Sequence, residues 1–259
     1  MDKRVRERRR TVAHGRGRRR LTLILVPLVV AALVGAFLWL RSSDVFTVQR
    51  VTVPATTRVS EAELRKATKP ALGVSLMRVS VGAIEAALRE VPYVRAAHVY
   101  RSFPHTLEVR LLEYQPQARV QVRDGSRWLV ADDGRVLQKD RGDGDSLPLF
   151  VTEGAAEPVL GKDLAAPELV AALPMAASIG GSATWTTTHP VDRIVVTSGG
   201  EVTIRLSGGA EVRMGKPTDL KQKLIVASEI LDRYIREGKS PAYVDVRVLN
   251  RVVAKPKIP

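Results

Sequence analysis

Residues 21–40 read LTLILVPLVVAALVGAFLWL, twenty consecutive residues without a charge, closed by Arg20 and Arg41. At a helical rise of about 1.5 Å per residue, such a run reaches roughly 30 Å, the thickness of a bilayer's hydrocarbon core. Pro27 and Gly35 are out of place in a soluble helix but common in membrane-spanning ones, and Trp39 sits near one end, where an amphipathic ring suits the headgroup region. A cleaved signal peptide is the competing reading, with Val34-Gly35-Ala36 as its processing site. The apolar run continues through Phe37, Leu38, Trp39 and Leu40, however, beyond the roughly 7–15 residues of a signal-peptide core. The run therefore predicts one uncleaved transmembrane helix over 21–40.

Charge sets its direction. Residues 1–20 hold ten Lys and Arg against Asp2 and Glu7, so +8 of the chain's formal +14 lies in this tail. After the run, only Arg41 and Arg50 fall among the next ten residues, with Asp44 opposing them. The positive-inside bias places the tail in the cytoplasm and everything beyond residue 41 outside, in a single-pass cell-membrane topology. The tail also resembles a nucleic-acid arm, but it carries no aromatic residue for base stacking and a bilayer follows at once; anionic lipid is the expected contact, and no nucleic-acid partner is expected. Beyond the membrane run, a chain that is 45% hydrophobic and 26% charged is globular in composition. Absence of cysteine rules out disulfides, thiolate metal sites and cysteine nucleophiles.

Segments of strand and helix period follow. Thr47–Val53 alternates with period two. Ser60 and Glu63 form a capping-box pair before EAELRKA, a short helix ending near Pro70, and Gly73 turns the chain. Val81–Glu90 sets Val81, Ile84, Ala87 and Leu88 on one helical face, and Pro92 ends it. Two strands, Val94–Arg101 and Thr106–Glu113, complete a β-α-α-β-β order. The run LGVSLMRVSVGAIEAALREVPYVRAAHVYRSFPHTLEVRLLEYQPQARV resembles the FtsQ/DivIB family's POTRA domain, through Gly73, Ser75, Leu76, Leu88, Pro92, Val94, Ala97, Val99, Arg101, Pro104, Thr106, Leu107, Val109, Glu113, Pro116 and Ala118. Val53-Pro54-Ala55 stands where many members have a glycine turn.

The remainder reads as antiparallel and β-rich. Trp128–Ala131 and Arg135–Gln138 flank Asp133-Gly134, a hairpin turn, and Asp140–Pro148 is a polar loop. Pro167–Ser178 is apolar and helical, bent at Pro174. Arg193–Thr197, Glu201–Leu206 and Glu211–Met214, separated by paired glycines, predict a meander. Asp219–Arg236 is a helix with Leu220, Leu224, Ala227, Leu231, Tyr234 and Ile235 on one side and Lys221, Lys223, Glu229 and Arg233 elsewhere, with Asp219 and Gln222 capping its start. Ala242–Val253 alternates as a last strand. Gly215, Lys223, Tyr243, Asp245, Arg247 and Asn250 extend the resemblance to the FtsQ-type C-terminal domain. The predicted organisation is a tail at 1–20, a transmembrane helix at 21–40, a POTRA domain at 45–114, an FtsQ-type β domain at 115–255 and a frayed end at 256–259.

Catalytic constellations are missing from the sequence. His14, His98, His105 and His189 have no metal-ligand spacing, and there is no HExxH, G-x-S-x-G or S-x-x-K. Gly215-Lys216 fails as a phosphate loop because Pro217 occupies the Ser/Thr position, and Asp132-Asp133 reads as a solvated turn. No enzyme activity and no cofactor are expected. An exposed sheet edge is instead a template for strand addition. On the terminal strand, Val246, Val248 and Asn250 are the candidates for presentation to a partner, with Tyr243 and Arg247 beside them. Val244, Val246 and Val248 packing under the 220–235 helix is the alternative. The resemblance implies a divisome scaffold at the division septum that binds FtsB/DivIC-like and FtsL-like proteins and links cytoplasmic components to septal peptidoglycan synthases. Two other classes, a POTRA-type transport accessory and a membrane-tethered cell-wall enzyme or sensor, are set aside: no β-barrel segment follows, and no catalytic motif appears.

Overall fold

The computed structural model describes residues 25–39, 46–142, 144–152 and 157–256. Helix α1 occupies 25–39 with its side chains exposed. Residues 21–24 and 40 of the predicted span lie outside the described residues, as does the basic tail. Among the described residues no helix is long and apolar enough to cross a membrane.

The described residues divide into two compact units, one taking those up to 55 with 64–87 and 97–110, the other 56–63, 88–96 and those from 111. The elements of the first half are β1 (Arg50–Thr52), α2 (Glu61–Thr68), α3 (Val81–Arg89), β2 (Val94–Ser102) and β3 (Thr106–Glu113), the predicted β-α-α-β-β order. They build a three-stranded sheet in the order β1-β3-β2, with β1 parallel to β3. Helix α2 starts after Ser60, as the sequence predicts, with the Ser60 hydroxyl accepting from the Ala62 amide at 3.3 Å, which is the serine half of the predicted capping box. Strand alternation puts Ala97 and Val99 of β2 and Leu107 and Val109 of β3 into a core with Leu64, Leu76 and Ile84. Ala87 lies outside it, exposed on α3. Arg101 donates from Nε to the Leu76 carbonyl (2.7 Å) and from Nη2 to the Val79 carbonyl (3.0 Å), so its guanidinium fork braces a loop that has no ladder of its own.

The second half contains β4 (Ala118–Gln121), β5 (Arg127–Val130), β6 (Val136–Lys139), β7 (Leu149–Thr152), α4 (Pro167–Ala172), α5 (Pro174–Gly180), β8 (Val191–Val196), β9 (Val202–Leu206), β10 (Glu211–Gly215), α6 (Leu220–Arg236), β11 (Pro241–Asp245) and β12 (Val253–Pro256). Nine strands join in one sheet, ordered β12-β11-β10-β9-β8-β7-β4-β5-β6. The meander β8-β9-β10 and the β5-β6 hairpin are antiparallel as predicted, and β4, a strand not placed from the sequence, also pairs antiparallel with β5. The sheet as a whole is mixed: β4 with β7, β7 with β8, and β10 with β11 run parallel. Each parallel pairing encloses a crossover: 122–148 between β4 and β7, α4 and α5 between β7 and β8, and α6 between β10 and β11. Phe150 of β7, the middle strands' Ile194 and Ile204, and Met214 are fully buried with Leu169, Leu173 and Met175 from α4 and α5. Helix α6 adds Leu224, Ala227 and Leu231 to this core.

Two expectations about α6 need correcting. Asp219 has left-handed backbone (φ 52°) and makes no side-chain cap, because an N-cap requires extended backbone to aim its carboxylate at the first free amides. Lys223 is buried rather than on the surface, while Ile235 is 54% exposed. The α6 face turned inward is thus shifted from the one that apolar spacing alone suggests.

Candidate partner-binding edge

The residues predicted to meet a partner fall on two different elements. Ala242–Val253 is not one continuous strand: β11 ends at Asp245, a turn occupies 246–252, and β12 returns antiparallel, pairing Tyr243 with Lys255, Val244 with Ala254 and Asp245 with Val253. The turn closes through the Arg251 amide on the Val248 carbonyl at 3.0 Å. Asn250 lies within it, as a residue whose short amide favours turns. β11 is consequently an inner strand, and β12 is the outer one.

Tyr243 is half-buried between Glu211 of β10 and Lys255 of β12, with the Arg213 guanidinium 4.3 Å from its ring centroid. Val246 is turned inward. Its side chain is fully buried in the core beneath α6, and its amide donates to the Arg213 carbonyl at 3.0 Å, prolonging the β10 pairing by one residue. Arg247, Val248 and Asn250 are exposed together in the turn. Arg247 folds back on Asp245, Nε to Oδ1 at 3.0 Å and Nη2 to Oδ2 at 2.7 Å. Those hydrogen bonds, with the Arg247 backbone amide, hold the Asp245 carboxyl below the usual carboxylate range against the opposing effect of burial.

The turn rests on a close approach to β10. Gly215 has φ +67°, and a Cβ there would stand 2.9 Å from Arg247 Cγ. Glycine therefore meets two demands at once, left-handed backbone and room for the arginine stem. Behind it, Lys223 reaches from α6 to the Met214 carbonyl (2.9 Å) and the Lys216 carbonyl (3.1 Å), satisfying two acceptors where the strand breaks off. Lys216 donates in turn to the Gly199 carbonyl. Between these groups and the turn opens a cleft of about 640 Å³, lined by Glu201, Gly215, Lys216, Thr218, Lys223, Asp245, Arg247, Val248, Arg251 and Val253. Val248 and Val253 contribute exposed apolar surface, and Lys216, Arg247 and Arg251 contribute cations.

Two other sheet edges, β2 and β6, are partly closed. The Val99 amide of β2 donates to the Glu85 carboxylate at 2.9 Å, which occupies a donor that a neighbouring strand would need. At β6, the Val136 amide donates to the Lys162 carbonyl and the Gly161 amide to the Val136 carbonyl, both at 2.9 Å, and the backbones of Arg135 and Asp163 pair as an isolated antiparallel bridge. Among the described residues, no strand or loop pairs with the outer side of β12. Sequence reasoning missed Val253 and Lys255 as edge residues because valines at every second position run on from Val244 to Val248, past the end of β11. The Leu249-Asn250-Arg251 interruption was the available signal.

The FtsQ-type POTRA domain model matches residues 46–114, and the model for the C-terminal domain of the cell division protein FtsQ/DivIB matches residues 118–247. The chain belongs to the FtsQ/DivIB cell-division family. The cell division protein FtsQ of Anaeromyxobacter sp. (strain K) is 30% identical over 270 residues, which cover 95% of this chain and 86% of that one. FtsQ of Neisseria gonorrhoeae is 24% identical, over 88% of this chain and 86% of that one. FtsQ of Streptomyces collinus is 32% identical over 46% of each chain. The FtsQ/DivIB C-terminal match ends at Arg247, at the start of the turn that leads into β12.

Proposed function

We propose that this FtsQ/DivIB-family chain is a non-enzymatic scaffold of the division septum, anchored in the cell membrane by residues 21–40 with the basic tail in the cytoplasm. Its POTRA domain (45–114) and β domain (115–255) stand outside. The scaffold takes up FtsB/DivIC-like and FtsL-like proteins and so links cytoplasmic division components to the septal peptidoglycan synthases. Binding is by strand addition along β12, the partner's backbone pairing with Val253–Pro256 and its side chains entering the neighbouring cleft. The observation that carries this reading is the open outer side of β12 beside exposed Val248 and Val253, while β2 and β6 are partly closed by Glu85 and the 161–163 segment. With Lys216, Lys223, Arg247 and Arg251 outnumbering Glu201 and Asp245 in the cleft, beside two valines, the complementary strand carries acidic and apolar residues.

Depletion of the protein in its own bacterium tests the role. Cells are expected to elongate without septa, and a plasmid-borne parent chain restores division where a Val253→Lys chain of equal abundance does not. Normal septation after complete depletion contradicts the reading.

A further inference from the structure

Three segments of the first unit, none carrying an acidic residue, meet at one place. Residues 46–55 run between the 71–78 loop and the β2–β3 turn: Thr47 bridges Ser75, the Val48 amide donates to the Val74 carbonyl at 2.9 Å, and the Gln49 amide donates to the His105 carbonyl at 3.0 Å. The Phe46 and Phe103 rings meet edge to face with centroids 5.8 Å apart. Leu72, Met77 and Phe103 stand out from this cluster with 48%, 39% and 54% of their surface exposed. Arg50, Lys69 and Arg78 are exposed around them. Neither Asp nor Glu occurs in 46–55, 69–84 or 101–107.

Exposed large apolar side chains beside exposed cations, in segments that themselves carry no anion, match the interface of an anionic bilayer, where rings and alkyl groups sit at headgroup depth and each cation gains from the surface potential. Chain length points the same way. Only residues 41–45 separate Leu40 from Phe46, and an extended chain spans at most about 3.5 Å per residue, so Phe46 stays within roughly 20 Å of the apolar run's end. We propose that this face of the first unit docks on the outer membrane leaflet, with Arg50, Lys69 and Arg78 on anionic phospholipid headgroups and Leu72, Met77 and Phe103 in the interface. The proposal rests on residues 21–40 being the membrane anchor.

The chain has no cysteine, so Ser102→Cys gives a single labelling site beside Phe103. The full chain, labelled there with a fluorophore, is reconstituted in nanodiscs of phosphatidylcholine alone or mixed with phosphatidylglycerol, with a headgroup spin-labelled lipid as quencher. Quenching is expected to rise with phosphatidylglycerol and fall with added salt. Lys69→Gln and Arg78→Gln are each expected to lower the docked-to-undocked ratio roughly fivefold. Both positions are exposed, and an unchanged circular dichroism spectrum shows that the variants fold. Quenching that ignores lipid charge and both substitutions overturns docking and leaves the face to an acidic protein. Flotation with phosphatidylcholine vesicles after an alkaline wash separates the two readings: failure to float overturns the anchor and docking together, whereas flotation with charge-independent quenching overturns docking alone.

Discussion

Gly215 is the residue on which the candidate edge turns. Its positive φ costs an L-residue roughly 1–2 kcal/mol, and a methyl group there would also press on the Arg247 stem. Gly215→Ala is expected to lower unfolding free energy by about that amount and to shift Arg247 off Asp245, checked by urea unfolding and a crystal structure of the variant. The Asp245–Arg247 pair gives the same corner a pH dependence. Because the folded-state pKa of Asp245 is depressed, the pair's contribution is complete above the unfolded value of about 3.9 and disappears as pH falls through the lower folded value. The stability gap between the parent and Asp245→Asn should therefore be present at neutral pH and close in acid. A gap that persists unchanged below the folded value would mean that the carboxylate's charge is not what holds the turn. Arg247 is more than half exposed, so the gap is expected to be small.

At the scale of elements, what the sequence shows and what it hides have separate physical causes. Helix α3 and strands β2 and β3 are legible because apolar period, Pro92 and the polar Ser102-Phe103-Pro104-His105 turn agree with one another. The antiparallel meander is legible for the same reason, with Gly199-Gly200 and Gly208-Gly209 marking its turns. The parallel pairings were hidden, since whether two strands run parallel depends on where their crossover packs and not on either strand's own pattern. β7 is only four residues, LFVT, and Leu149 and Val151 are half-buried on its second face, so it shows no alternation. Lys223 was read as a surface lysine because helical period ranks residues by polarity; its burial follows from two carbonyls at the broken end of β10. Of the candidate site, Arg247, Val248 and Asn250 were legible as exposed polar and apolar neighbours, whereas Val246 went to the core and β12 took the edge. The burial of β7 gives a prediction at this scale. Phe150→Ala removes a fully buried ring from the middle of the nine-stranded sheet and is expected to cost about 3–5 kcal/mol by chemical denaturation. A loss under ~1 kcal/mol would mean that β7 is not central to the core.

At the scale of the whole molecule, a POTRA domain is followed by a mixed sheet whose last strand, β12, has no pairing on its outer side among the described residues. The proposed function has partners of the FtsB/DivIC and FtsL kind pair with β12. The most direct measurement is co-purification of the full chain in detergent with both full-length partners, beside Val253→Lys and Val248→Lys chains that retain the parent's unfolding midpoint. Retention of both partners by the parent, with loss by Val253→Lys and weakening by Val248→Lys, is the predicted result. Equal retention by all three folded chains would contradict strand addition at β12.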